Sequence, residues 1–254
     1  MKRILIGFLL FITSQLFSQI NDTVDYSKEI FKKDISNLFT LTKFNYGTSD
    51  EIIERAEPIG YIGETYQRFY FHLISVIKNK NTGEYFVYGK TKVKNNICEF
   101  QGLLIVDKAN LLPNPEFPKI EQGIINGRYE LFENPDQKGT GILEGTFQTG
   151  FYIDKNGELK YNSLMFSADV FCNNMFQGTW TSYKTQSSKK CNWGDYRIPE
   201  SGDLDIGAGE FGPNSDYNEF GWENYTNAYF NYTNKTENEK ALEIEKQKWW
   251  IKKH

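Results

Sequence analysis

YQRFYFHLISVIKNKNTGEYFVYGKTKVK, Tyr66 to Lys94, carries the reading of the fold. Up to Ile77 the side chains alternate. Phe69, Phe71, Leu73, Ser75 and Ile77 share one face; Tyr66, Arg68, Tyr70 and His72 share the other. Asn81-Thr82-Gly83 supplies a turn. The return splits again, into Tyr85, Val87, Gly89, Thr91 and Val93 against Glu84, Phe86, Tyr88, Lys90 and Lys92. A period of two on both sides of a glycine turn is a β-hairpin.

The same period extends outward. A third strand runs over 97–106, and Pro113, Pro115 and Pro118 then make a loop, because proline brings no donor to a ladder. Strands are expected at 127–132, 141–153, 158–164 and 174–183. Asn134-Pro135-Asp136 and Asp154-Lys155-Asn156-Gly157 turn between them. About eight or nine strands joined by short turns make a mainly β chain. It reads as an antiparallel meander barrel or sandwich over 58–232, with a calycin-like barrel favoured. Gly89, Gly102, Gly145 and Gly178 inside strands fit bends at barrel corners.

Helices flank the strands. Within 19–57, Phe31, Ile35, Leu38, Phe39 and Thr42 fall on one face of a helix over 27–44, and Thr48 with Glu51 suggests a capping box for a second. Within 233–254, Thr236 and Glu239 would cap a helix over 236–253.

The first residues read as an export signal over 1–18. Lys2 and Arg3 precede the apolar run Ile4–Leu16, and Ser18 places a small residue at the cut. The run is too short and too interrupted by Thr13, Ser14 and Gln15 for a membrane anchor. Cleavage would remove two of the 29 Lys and Arg and none of the 33 Asp and Glu, making a formal charge of -4 more negative still. An acidic chain whose mature part holds only Arg55, Arg68, Arg128 and Arg197 lacks the footprint of nucleic-acid binding. Two histidines, His72 and His254, rule out multi-histidine metal sites. The three cysteines leave at least one thiol unpaired within the chain. Cys172 and Cys191 are the pair expected if any two join, which would contribute ~3 kcal/mol in the chain-entropy picture. Three reduced cysteines are the other reading.

Candidate functional residues gather in two places. The loop 193–222 holds six of the 21 glycines together with Trp193, Arg197 and Trp222, and is expected to be a ligand-binding surface. Its carboxylates Asp195, Asp203, Asp205 and Glu210, with Asp169, are the alternative catalytic set for glycan hydrolysis, which needs two carboxyls across a cleft. Asp203, Asp205 and Glu210 are the alternative ligands for calcium, the one cofactor considered; an EF-hand itself fails at Gly207, Ala208 and Asn214. The second place is the strand face Tyr66, Arg68, Tyr70 and His72, which would line a barrel lumen or face solvent. Gly89-Lys90-Thr91 sits inside a strand and is no phosphate loop.

The signal ending Phe17-Ser18-Gln19, the lysine- and asparagine-rich composition and the segment Gln177 to Phe211 resemble a group of secreted Bacteroidetes-type proteins without a known activity. The resemblance implies export, with the periplasm favoured over the surface because no β-rich sorting domain ends the chain. Gly178-Thr179-Trp180 resembles the lipocalin G-x-W, which implies a barrel and transfers no ligand. Three functional readings follow. The first is a non-catalytic barrel binding a small molecule, a glycan or an envelope partner. The second is a carboxylate-dependent envelope glycan hydrolase. The third is a structural envelope protein docking through its C-terminal helix.

Overall fold

A computed structural model describes residues 23–80, 82–115, 117 and 119–251. The segment 1–18 expected to be an export signal, and Lys252 and Lys253 of the helix expected over 236–253, lie outside the described residues. The chain forms a closed barrel of eight antiparallel strands. These are β4 (Ile59–Ile62), β5 (Gln67–Lys78), β6 (Glu84–Val93), β7 (Asn96–Leu111), β8 (Gln122–Glu133), β9 (Gly141–Ile153), β11 (Asn173–Ser182) and β12 (Ser188–Asp195). Each pairs with its predecessor in the ring, and β12 closes back on β4, with Cys191 opposite Ile62 and Gly194 opposite Ile59. Two short strands sit outside the ring: β1 (Val24–Asp25) on the end of β7, and β10 (Leu159–Tyr161) on β9. β2 (Lys43–Asn45) and β3 (Ile52–Glu54) pair only with each other.

The lumen is packed with rings rather than open along its length. Trp193 stacks between Phe71 and Phe176, with centroids 4.5 and 4.9 Å away, and Phe71 stacks on Phe100 at 5.1 Å. Two of the strand glycines make room for aromatic side chains, and Gly102 and Gly145 sit close against neighbouring backbone. A Cβ on Gly89 would lie 2.5 Å from Phe100 Cζ, and one on Gly178 2.4 Å from the Tyr129 hydroxyl. One barrel end is plugged by α1 (Ser27–Lys32) and α2 (Ser36–Thr40), which bury Ile30, Ile35, Leu38 and Phe39 in the barrel core.

The expected helix over 27–44 is therefore two. Lys33 is extended, the Asp34 carboxylate accepts from Ser36 N and starts a fresh turn, and the carbonyls of Phe31 and Lys33 receive Lys78 Nζ. The apolar face survives the break. The second expected helix is instead the β2–β3 hairpin, in keeping with its β-branched Ile52-Ile53.

After Asp195 the chain builds a layer outside the barrel, not a continuation of the β domain to 232. Ile198, Leu204, Phe211 and Trp222 pack on Ile59 and Tyr61. Two helices complete the layer: α3 (Glu223–Tyr229) and α4 (Lys235–Glu245), capped by Asn234 accepting from Glu237 N rather than by Thr236. No described helix is long and apolar enough to cross a membrane.

Candidate functional site

The unplugged end of the barrel is bordered by the turns 63–66, 94–95, 134–140 and 183–187. There the strands enclose a pocket of about 610 Å3, a size typical of small-ligand sites. Ile62, Phe69, Val93 and Trp180 give it apolar walls. Thr91, Asn96, Cys98 and Glu133 give it polar groups, and Glu64, Lys94 and Lys189 stand at its rim. Strand periodicity puts these side chains together. Thr91 follows Tyr85, Val87 and Gly89 on the inner face of β6, and Glu133 follows Tyr129 and Leu131 on that of β8.

Glu133 is the buried charge of this pocket. One carboxylate oxygen accepts from Thr91 Oγ1; the other accepts from Gly141 N at 2.9 Å and Trp180 Nε1 at 2.8 Å. Burial raises its pKa above the usual carboxylate value, against the pull of these three donors. Cys98 lies beside it, and burial pushes that thiol up to about 11, so it is a poor nucleophile at neutral pH. Deeper in the lumen the Tyr129 hydroxyl and Trp193 Nε1 are buried without a protein partner.

The face Tyr66, Arg68, Tyr70 and His72 does not line this pocket. Phe69 and Phe71 take the inward positions of β5, so the alternate residues point outward and the layer after Asp195 covers them. Arg68 is 3% exposed and lies over the rings of Tyr70, Trp222 and Tyr225, with its Nη2 2.9 Å from Glu245 Oε2. Trp222 Nε1 donates to the Tyr66 carbonyl, Trp249 meets Tyr70, and Trp250 stacks on His72 at 3.7 Å. His72 Nδ1 is 2.8 Å from Glu57 Oε2, at the edge of a small crevice that also holds Thr42 and Arg55. This pairing orients the imidazole. Among the described residues no hydroxyl or thiol is hydrogen-bonded to His72 as a nucleophile would be.

The loop 193–222 is divided between core and scaffold. Trp193 is inside the barrel and Trp222 inside the outer layer, so neither offers a free ring to a sugar. Arg197 ties one turn together: it donates to Asp205 Oδ2 at 2.6 Å and to the carbonyls of Gly207 and Gly209, while Asp205 Oδ1 accepts from Gly207 N and Gly212 N. Asp203 accepts from the Tyr217 hydroxyl. Asp195 lies at the plugged end, where Arg55, Tyr161 and Asn174 all donate to it and Arg55 Nη1 reaches the Phe39 and Leu41 carbonyls. Glu210 and Asp169 are exposed. The alternative catalytic set is thus spread over separate hydrogen-bonded knots. Among the described residues no three His, Cys, Asp or Glu side chains gather as a metal site, so Asp203, Asp205 and Glu210 do not converge on calcium. All three cysteines are free: Cys191 faces the packed lumen while Cys172 is exposed before β11, so the expected bridge is absent from the structure.

Comparison with protein-family models, curated proteins and solved structures returned no match.

Proposed function

We propose that the protein is an exported, periplasmic, non-catalytic barrel that holds a small ligand in its open end. The observation that carries this reading is the 610 Å3 pocket over a ring-filled lumen, at the end opposite the helical plug. Such a pocket admits a molecule only from one side and only to a shallow depth. Its walls call for an apolar body against Phe69, Val93 and Trp180, with a polar group near Thr91, Asn96 or Glu133. The saturated carboxylates and the high-pKa thiol support binding rather than chemistry.

Thermal melting against a panel of small amphipathic molecules tests it. A ligand at a hundredfold excess over its Kd stabilises the native state by about 2.7 kcal/mol, which raises Tm by roughly 5–10 °C in a chain of this size. Val93→Trp, which fills the pocket from its wall, should abolish that shift. A shift that survives Val93→Trp would place the ligand elsewhere, and a panel without any shift would count against the reading.

A further inference from the structure

We infer that the outer wall of the barrel across β5–β8 is a docking surface for a protein segment bearing apolar side chains next to a lysine or arginine. The single face expected for Phe69, Phe71, Leu73, Ser75 and Ile77 does not hold along β5: a register shift between Leu73 and Ser75 turns Ser75 and Ile77 to the outer wall. Register then sets Ile77, Phe86 and Leu103 side by side in one row, and Tyr88, Gln101 and Phe132 in the next. Ile77 is 62% exposed, Phe86 53% and Ile74 43%. Large apolar side chains clustered on an outer wall mark interaction sites rather than ordinary surface. The outer layer covers β4 and the start of β5 but leaves this patch bare.

The edge of the patch specifies the partner. The row that runs through Phe86 and Leu103 continues to Glu130, and Glu130 is register-paired with Glu144 on the adjoining strand. Both carboxylates are exposed. Like charges directly opposite each other destabilise a sheet, and among the described residues no ion pair relieves these two. Several cations of these strands are engaged elsewhere. Arg128 pairs with Asp107, Lys90 with Glu99, Lys78 bonds the Phe31 and Lys33 carbonyls, and Lys92 lies over the Tyr70 ring. A partner cation between Glu130 and Glu144 removes the repulsion while its apolar neighbours cover Phe86 and Ile77. An anionic lipid surface would be repelled by the same carboxylates.

The test is fluorescence anisotropy of the full chain with a labelled 12-residue peptide of two Leu-Lys-Phe motifs, and with the same peptide carrying Glu for Lys. The lysine peptide should bind about tenfold or more tightly than its glutamate counterpart. Phe86→Ser should abolish binding with the fold retained, as Ile77→Ser should if the first variant does not fold. Glu130→Lys with Glu144→Lys should reverse the preference between peptides. Failure of both peptides to bind, or equal binding of the two, overturns the inference. So does a Phe86-dependent dimer in sedimentation, or Phe86-dependent adsorption to vesicles of anionic phospholipid.

Discussion

Glu133 shows what a single carboxylate does when three donors converge on it inside a barrel. Glu133→Ala strands Thr91 Oγ1, Gly141 N and Trp180 Nε1 and should cost about 1–3 kcal/mol for each buried donor left without an acceptor. Glu133→Gln keeps all three satisfied, because its oxygen accepts from Gly141 and Trp180 while its amide donates to Thr91. Wild type and variants also separate in pH. The raised pKa means that the folded chain retains a proton which an unfolded glutamate, near 4.3, has already lost. Wild-type stability therefore falls as pH rises from that ordinary value through the raised one, and levels off above it. Urea midpoints should show this fall in the wild type and lose its Glu133 part in Glu133→Gln; a wild-type-to-variant difference that ignores pH would contradict the assignment. The thiols give an independent check. Iodoacetamide at about pH 8 should label Cys172 first in the native chain, because Cys98 and Cys191 are buried out of the reagent's reach while Cys172 is exposed; desolvation raises all three thiol pKa values, so accessibility decides. All three should label in denaturant without reductant, and a result of one would restore the Cys172–Cys191 bridge.

At the scale of elements, one buried ion pair joins α4 to the barrel, beside the packing of Trp249 and Trp250 on β5. Arg68 and Glu245 are 4% and 5% exposed at the side chain, so removing one partner leaves an uncompensated charge in an aromatic cage. Glu245→Ala should cost about 3–5 kcal/mol, whereas Arg68→Met with Glu245→Met should return close to wild-type stability. Limited proteolysis checks where the cost falls: cleavage should begin within 230–251 in the single variant and not in the double. The same pair explains what the sequence withheld. Alternation shows that Arg68, Tyr70 and His72 share a face, but it carries no information about what covers that face. Here the cover comes from Trp222, Glu245 and Trp250, far along the chain. Likewise the spacing of Ile35, Leu38 and Phe39 reveals a buried helical face, while the break at Lys33 depends on Lys78 arriving from β5. Part of the pocket is legible in the sequence, since Thr91 and Glu133 are polar side chains at inward positions of otherwise apolar strand faces. The tryptophans and glycines of 193–222 serve packing and tight turns instead.

For the whole molecule, the meander was legible because most barrel strands pair with the next across a short turn, the connections 112–121 and 154–172 being the long ones. Closure was not legible, because a barrel and a sandwich share those local signals and differ in one long-range pairing. That pairing is the contact of β4 with β12, only four register pairs from Ile59–Gly194 to Ile62–Cys191. It should form late. Folding dominated by such distant partners runs in milliseconds to seconds or slower, and residues of the joint should influence unfolding more than folding. Chevron plots of Gly60→Ala, whose Cβ would press within 2.7 Å of Trp193 Cβ, should show faster unfolding with little change in the folding limb. The hairpin substitution Gly89→Ala should slow folding, and the reverse pattern would place the joint in the nucleus. During synthesis the order is imposed from outside. As the chain emerges from its N-terminus, β4 appears early and its partner β12 last of the barrel strands, so until then any sheet it forms is unclosed, with two bare edges. Bare edges recruit other chains, and the short joint between Ile59 and Gly194 makes this protein's yield depend on what shields those edges until residue 195 has emerged.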